Sequence, residues 1–312
     1  MNIDIKPGKY VVAVSGGVDS MTLLDLLVKQ AKSPQPRVLS QKNPSSSLSA
    51  HRSQLIVAHF DHGIRPDSGA DRQLVQDIAE KHGLPFVFEE GKLGPDVSEA
   101  TAREARYKFL GKVCKNNGAD AIITAHHQDD TLETAIINLL RGTGRSGLSS
   151  LKNQPGILRP LLHIPKQELI GYAKAQKLKW NEDSTNKDTK YLRNYVRHVL
   201  LPRFSEEDRQ TLLTHIQSAQ KFNPEISKLL YHLYVPRGLE LGRKIFINLP
   251  HDVAKEAMAE WLRGNNIQFD RKLLEQITAK AKTLQSGKSI DVDVNYRIEV
   301  GKDKLALRTR ER

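Results

Sequence analysis

Apolar residues in this chain gather first in short unbroken runs at residues 10–14, 55–58 and 121–124. The runs are rich in β-branched residues and do not alternate with polar ones, the pattern of strands buried on both faces of a parallel sheet. Residues 86–88 fit a fourth strand. Between and after these runs the apolar spacing becomes that of amphipathic helices, predicted over 21–31, 71–82, 98–114 and 131–140. Strand–helix alternation of this kind predicts an α/β fold, a doubly wound parallel sheet with helices on both faces, whose ligands collect at the carboxyl ends of the strands.

The segment 33–53 interrupts the first crossover with Pro, Ser, Gln and Asn and has little to bury. It reads as an exposed insertion, expected to be mobile. Arg37, Lys42 and Arg52 give it charges that suit RNA, although a tolerated surface loop is the simpler account. Beyond a polar stretch at 180–190, a helical pattern covers 191–200, and Pro202 helps to end it. After about residue 218 the pattern shifts to short helices at 252–263 and 271–284, then to strand-like runs at 290–294, 296–300 and 305–308. The expected division is a catalytic domain over 1–217, with the insertion inside it, and a small C-terminal α+β domain over 218–312.

Composition narrows the setting. The 48 Lys+Arg against 36 Asp+Glu give a net charge of +12, which favours a polyanionic partner. Cys114 is the only cysteine. One thiol excludes a disulfide framework and any multi-thiolate zinc or iron–sulfur site within a chain, which points to a reducing compartment. The amino-terminal stretch reaches its first strand without a long apolar run, and no window approaches the length of a membrane span. The expectation is a cytoplasmic enzyme with no membrane partner; a homodimer is compatible with the sequence.

The first strand runs directly into Ser15, Gly16, Gly17, Val18, Asp19 and Ser20, where a helix begins. Two glycines let backbone N–H groups approach an anion, the serines add hydroxyls and the helix N-terminus adds its dipole, so the hexad reads as a phosphate cradle. It lacks the lysine of a GxxxxGK[ST] loop. A glycine turn with Ser and Asp as helix caps is the alternative. A second glycine pattern, Gly142, Gly144 and Gly147, matches G-x-G-x-x-G letter for letter but follows a predicted helix where a dinucleotide site requires a strand. It is read as a basic loop, 141–147, near the active site.

The second strand leads into His59, Phe60, Asp61, His62, Gly63, Ile64 and Arg65, and the third into His126, His127, Gln128, Asp129 and Asp130. All three polar clusters thus fall at strand carboxyl ends. Asp129, Asp130 and Glu133 can share one helix face, to bind a cationic substrate, accept a proton from an amine, or cap the helix. Asp19 and Asp61 each suit Mg²⁺, which commonly bridges one or two carboxylates and substrate phosphates. Arg103 and Arg106, three apart on a helix that contains Tyr107, place two cations on one face, as phosphate ligands or as a solvated basic face. Asp183, Asn186 and Asp188 precede Arg193, Asn194 and Arg197, an arginine pair suited to phosphate or a base edge.

Together these residues resemble the N-type ATP pyrophosphatases, or PP-loop enzymes, through the Ser15 to Ser20 hexad. The resemblance narrows to the tRNA(Ile)-lysidine synthetase family through His59 to Arg65, Ala102-Arg103 with Arg106-Tyr107, Thr124 to His127 with Asp129-Asp130 and Glu133, Arg141-Gly142 with Gly144 and Gly147, Arg159-Pro160-Leu161, and Glu182-Asp183 with Asn186, Asp188, Tyr191, Arg193-Asn194 and Arg197. It spans about residues 9–202. The resemblance implies a ligase that adenylates the wobble cytidine of an isoleucine tRNA with ATP and Mg²⁺, then joins free lysine to C2 with loss of AMP. It implies ATP binding by Ser15, Gly16, Gly17, Val18, Asp19, Ser20, Asp61 and Arg103, with Asp19 and Asp61 as metal ligands. Lysine binding falls to Asp130 and Glu133, catalysis to these two with Arg193 and Arg197, and tRNA contact to the C-terminal domain. The rivals are a tRNA thiolase, for which one cysteine is too few, and another adenylating PP-loop enzyme with a small substrate, which the basic charge disfavours. A non-catalytic RNA-binding protein would leave the convergent clusters without purpose.

Overall fold

Strand β1 (Lys9–Ala13) lies at the centre of a five-stranded parallel sheet and is followed by helix α1 (Val18–Lys32). The computed structural model describes residues 1–32, 53–63, 68–91, 93–94, 97–181, 189–234 and 238–310. Residues 33–52 of the expected insertion lie outside these, as do Ile64, Arg65, Glu182, Asp183, Asn186 and Asp188. Then come β2 (Gln54–Asp61), α2 (Ser68–Lys81), β3 (Phe86–Glu90), α3 (Glu99–Asn116), β4 (Ala121–Ile123) and α4 (Gln128–Leu140). A short α5 (Arg145–Leu148), β5 (Ile157–Leu158) and α6 (Lys166–Ala175) follow.

The strand order is β3-β2-β1-β4-β5, every pair parallel, with Val12 opposite both Val57 and Ile123. Alternate residues of the strands serve opposite faces. Tyr10, Val12, Leu55, Val57 and Ile123 pack with Leu23, Leu27, Val75 and Leu169 from α1, α2 and α6. Val11, Ile56, Ala58 and Ile122 pack with Phe109, Leu110 and Val113 of α3. Both faces are therefore covered, which is why the strands read as continuous apolar runs. Burial of each such side chain contributes about 1.5–3 kcal/mol. The sheet is built outward from β1 in one direction through β2 and β3, and in the other through β4 and β5. The switch point falls between the carboxyl ends of β1 and β4, the place where an open α/β sheet opens a crevice.

The expected helix at 191–200 is split: α7 (Leu192–Tyr195) passes into a π-helical turn at Val196–Leu200 and a 3₁₀ turn at Leu201–Arg203 that contains Pro202. Next comes α8 (Glu206–Tyr234), a 29-residue helix not anticipated from the sequence, with Pro224 inside it. The chain divides into one unit of Met1–Ile137 with Leu151–Gln210 and a second of Asn138–Ser150 with Thr211–Arg312. The expected division at 217/218 falls within α8.

The second unit contains β6 (Glu240–Gly242), α9 (Arg243–Asn248), α10 (His251–Gly264), α11 (Arg271–Thr283), β7 (Lys288–Asp291), β8 (Tyr296–Val300) and β9 (Lys304–Thr309). Its antiparallel sheet, ordered β6-β9-β8-β7, shares a core of Leu241, Phe246, Met258, Trp261, Ile277, Ile298 and Leu305 with the helices. The predicted strand at 290–294 stops early because the Asp293 carboxylate accepts N–H bonds from Asn295 and Tyr296, both at 2.7 Å, and turns the chain into β8. The segment 141–147 groups with this unit: it ends α4 in a turn, as expected, and then enters a short helix. Arg145 opens α5, and its guanidinium meets Glu256, Glu260, Asn223 and Ser227. Among the described residues no helix is long and apolar enough to cross a membrane.

Candidate active site

The ladder between β1 and β2 continues one residue past β1, where the Val14 N–H donates to the Ala58 carbonyl at 2.9 Å, and the glycine-rich loop starts immediately after. Ser20 shapes this loop from inside. Buried, it accepts the Ser15 N–H at 3.2 Å and donates to the Gly17 carbonyl at 2.9 Å. Its proton is thereby committed to the loop. Gly16 needs its φ of +92°, and a Cβ there would sit 3.2 Å from Asp71 Cβ. Its carbonyl accepts the Asn181 N–H at 3.0 Å, while the Asn181 amide donates to Asp71 at 2.7 Å. Asn181 and Asp71 thus brace a loop 165 and 55 residues from them in sequence, which no local pattern announces.

His127, at the carboxyl end of β4, is the hub of the site; its side chain is 4 % exposed. Nε2 lies 3.6 Å from Asp19 and 3.4 Å from Asp130, and Nδ1 lies 3.7 Å from Asp129. Burial alone would lower its pKa, but Asp19 and Asp130 outweigh burial and raise it, which favours an imidazolium. Asp19 behaves reciprocally: burial would raise its carboxyl, and His127 with Lys166 holds it below the usual range. Lys166, the first residue of α6, donates its ammonium to Asp19 Oδ2 at 2.6 Å and its backbone N–H to Asp129 Oδ2 at 2.8 Å. Asp130 Oδ2 accepts the His127 backbone N–H at 3.0 Å.

On the same helix, Glu133 is 1 % exposed and fully engaged. Arg197 donates through Nε to Oε1 at 2.6 Å and through Nη2 to Oε2 at 2.9 Å, a two-pronged pair that also reaches Asp130 at 3.4 Å. Arg193 bridges Glu99 at 2.8 Å and Glu133 at 3.5 Å. Arg209 lies 3.6 Å from Asp129. His126 points elsewhere, with Nδ1 2.8 Å from the Thr124 hydroxyl. Its pKa is pushed down to about 3, by burial and by the positive charge of Arg106, Arg159 and Arg103 against the opposing pull of Asp130, so it is neutral at physiological pH.

The residues named from the sequence are therefore distributed unevenly. Asp19, His127, Asp129, Asp130, Glu133, Arg193 and Arg197 form one connected set of contacts. Asp61 ends β2, and its Oδ1 accepts the Gly63 N–H at 2.8 Å. Arg103 and Arg106 lie with their guanidinium carbons 4.9 Å and 5.5 Å from the Tyr107 ring centre. Lys166, Arg209 and Glu99, which reach the set, and Asp71 and Asn181, which brace the Gly16 loop, were not anticipated, because each comes from a separate part of the chain with no motif around it. Among the described residues no three His, Cys, Asp or Glu side chains are grouped to hold a metal unaided. Asp19 Oδ1, buried and without a hydrogen-bond partner, is a donor suited to a metal that arrives with phosphates.

A family model described as a PP-loop domain matches residues 2–204. The tRNA(Ile)-lysidine synthase of Thermus thermophilus is 39 % identical over 203 residues, covering 63 % of this chain and 36 % of that protein. That of Wolbachia pipientis is 34 % identical over 267 residues, covering 79 % and 57 %, and that of Pseudothermotoga lettingae is 28 % identical over 320 residues, covering 97 % and 66 %. The chain thus spans between 36 % and 66 % of the length of these relatives. Among solved structures, the U34-tRNA thiolase NcsA from Methanococcus maripaludis aligns with a TM-score of 0.54 and 17 % identity, covering 70 % of this chain and 73 % of that one. That likeness is one of fold.

Proposed function

Because the chain belongs to the PP-loop domain family, we propose that it uses ATP to join free L-lysine to C2 of the wobble cytidine of an isoleucine tRNA, in the cytoplasm. One observation carries the reading: Asp19 of the glycine-rich loop and Asp130 of α4 face the same buried imidazole, His127, at 3.6 and 3.4 Å. A phosphate cradle and a carboxylate–arginine cluster are thereby joined at the switch point of the sheet. The names of the relatives supply the substrate class.

In the first step the cytidine O2 attacks the α-phosphorus of ATP, the bond to the bridging oxygen breaks and pyrophosphate leaves. The backbone N–H groups that follow Ser15 and Gly16, with Val18 and Ser20 shaping the start of α1, hold the phosphates. Asp61 and Arg103 belong to the same nucleotide site. Asp19 and Asp61 are the residues that would hold magnesium, which would offset charge on the phosphates. In the second step the lysine ε-amine bonds to C2, gives up a proton, and AMP departs with the former carbonyl oxygen. An ammonium with a pKa of ~10.4 must lose a proton before it can attack, so a carboxylate beside it is needed. Asp130 and Glu133 receive the amine. Since Arg197 already occupies both oxygens of Glu133, lysine entry requires Arg197 and Arg193 to exchange part of their carboxylate contacts for the phosphate of the adenylated base.

The assay is incorporation of labelled lysine into isoleucine tRNA in the presence of Mg·ATP. ATP-dependent incorporation is expected; its absence sinks the reading. Glu133→Gln should lower lysine transfer by at least about tenfold more than tRNA-dependent pyrophosphate release, because it removes an amine-binding charge and leaves the loop intact. Equal loss of both steps would count against the assignment of Glu133.

A further inference from the structure

Lys166 is a cation that the two-step scheme leaves without a role. It opens α6 after Pro165, its backbone N–H fixed on Asp129 and its ammonium 2.6 Å from Asp19. The side chain is 36 % exposed, so from a fixed base a compact charge reaches the solvent-open edge of the site on a flexible four-carbon stem.

A polyphosphate entering this site meets Asp19, Asp129, Asp130 and Glu133, and the neighbouring cations must offset that repulsion. Most are committed elsewhere. Arg197 is forked onto Glu133, Arg193 bridges Glu99 and Glu133, and Arg209 is held by the Leu201 carbonyl at 2.7 Å while facing Asp129. Apart from the buried His127, Lys166 is the cation that the described residues set against the carboxylate of the loop itself. Asp19 meanwhile keeps its second oxygen buried and unpartnered. A carboxylate with one oxygen held by a movable ammonium and the other unused is arranged for an exchange of counter-ions.

We propose that Lys166 is a ligand of the pyrophosphate half of the nucleotide: it neutralises Asp19 in the nucleotide-free protein and passes its ammonium to a β- or γ-phosphate oxygen when the nucleotide arrives, leaving Asp19 to the metal. The inference rests on the reading of the Ser15 to Ser20 loop as an ATP site. The α-phosphate has to lie toward the cytidine and the amine carboxylates, Asp130 and Glu133. Lys166, paired with Asp19 instead, is left to the other two phosphates.

Calorimetric titration with α,β-methylene-ATP and with AMP, each with and without magnesium, tests this on the wild type, Lys166→Met, Lys166→Arg, and Lys166→Met in an Asp19→Asn background. Lys166→Met is expected to weaken the analogue about 10- to 100-fold, the size of one charge-assisted hydrogen bond. AMP affinity should stay unchanged, and Lys166→Arg should recover most of the loss even where the methionine variant is less stable. The loss should persist in the Asp19→Asn background, since the contact is to phosphate. Equal analogue affinity of wild type and Lys166→Met overturns the proposal. So does a loss that extends equally to AMP, or that vanishes in the Asp19→Asn background, because either makes Lys166 a prop for the loop. Wild-type protein that binds neither ligand removes the ATP reading itself, a failure seen before any substitution is made.

Discussion

Two adjacent histidines show how far a single residue's chemistry depends on what faces it. His127 is buried among three carboxylates and is pushed toward its charged form, whereas His126 is buried beside arginines and pushed toward neutrality, down to about 3. For His126 the unfolded chain binds more protons than the folded one between its ordinary value of 6.5 and about 3. The His126 contribution to stability should therefore be greatest above pH 6.5 and fall through that window as acid is added, by up to about 1.4 kcal/mol per pH unit, while His127, shifted the other way, contributes in the opposite sense. Unfolding midpoints at pH 7, 6, 5 and 4 check this. His126→Asn, which keeps a partner for Thr124, should show a shallower acid decline than the wild type, and parallel declines would refute the assignment. The sequence could nominate both histidines but could not separate them, since the arginines and carboxylates that decide their charge come from other elements.

At the scale of elements, one glycine pattern became a strand-to-helix turn and the other a helix-to-helix joint. Gly16 follows a strand and turns the chain into α1. Gly142, Gly144 and Gly147 follow α4, where Gly142 takes a φ of +67° and a Cβ on Gly147 would overlap the Thr143 side chain. The preceding helix was visible in the spacing of residues 131–140, so the context of the lookalike was legible even though its destination was not. Arg145 within it is 18 % exposed and pairs with Glu256 at 3.1 Å and Glu260 at 2.9 Å. Arg145→Met should lower stability by about 1–2 kcal/mol: half-buried Glu256 loses the 3.1 Å pair and the Asn223 carbonyl loses a donor, while Glu260 keeps Arg263 at 2.6 Å. Thermal melts would read this as a lower midpoint, with nucleotide affinity of the folded protein unchanged. A melt indistinguishable from wild type would mean that these ion pairs contribute little. Pro224 sits inside α8 although proline ordinarily ends a helix, and the adjacent Asn223 is buried, its amide donating to the Arg145 carbonyl at 2.9 Å and to the Ser149 hydroxyl at 2.6 Å.

For the whole molecule the net charge of +12 is the property that matters most for an RNA substrate. Each phosphate neutralised by Lys or Arg releases a counter-ion, so affinity for isoleucine tRNA should fall at least about tenfold between 50 and 200 mM salt. Filter binding across that range measures it. A flat response would separate the positive charge from RNA binding and favour a small-molecule substrate.

The sequence by itself determined four of the five strands of the parallel sheet, because burial on both faces forces continuous apolar runs and because glycine and carboxylate clusters at β–α junctions follow from local geometry; the two-residue β5 (Ile157–Leu158) is too short to leave such a run, and β2 runs on to Asp61, three residues past its apolar run. Those junctions supplied Ser15 to Ser20, Asp61 and Asp129 to Glu133. Only the tertiary structure decided which charges meet. It paired Lys166 with Asp19, Arg197 with Glu133 and Asn181 with the carbonyl of Gly16, contacts spanning 147, 64 and 165 residues. No periodicity records such pairs. The hexad that began as a phosphate cradle is, in the folded chain, one side of a buried ionic cluster whose other side is α4.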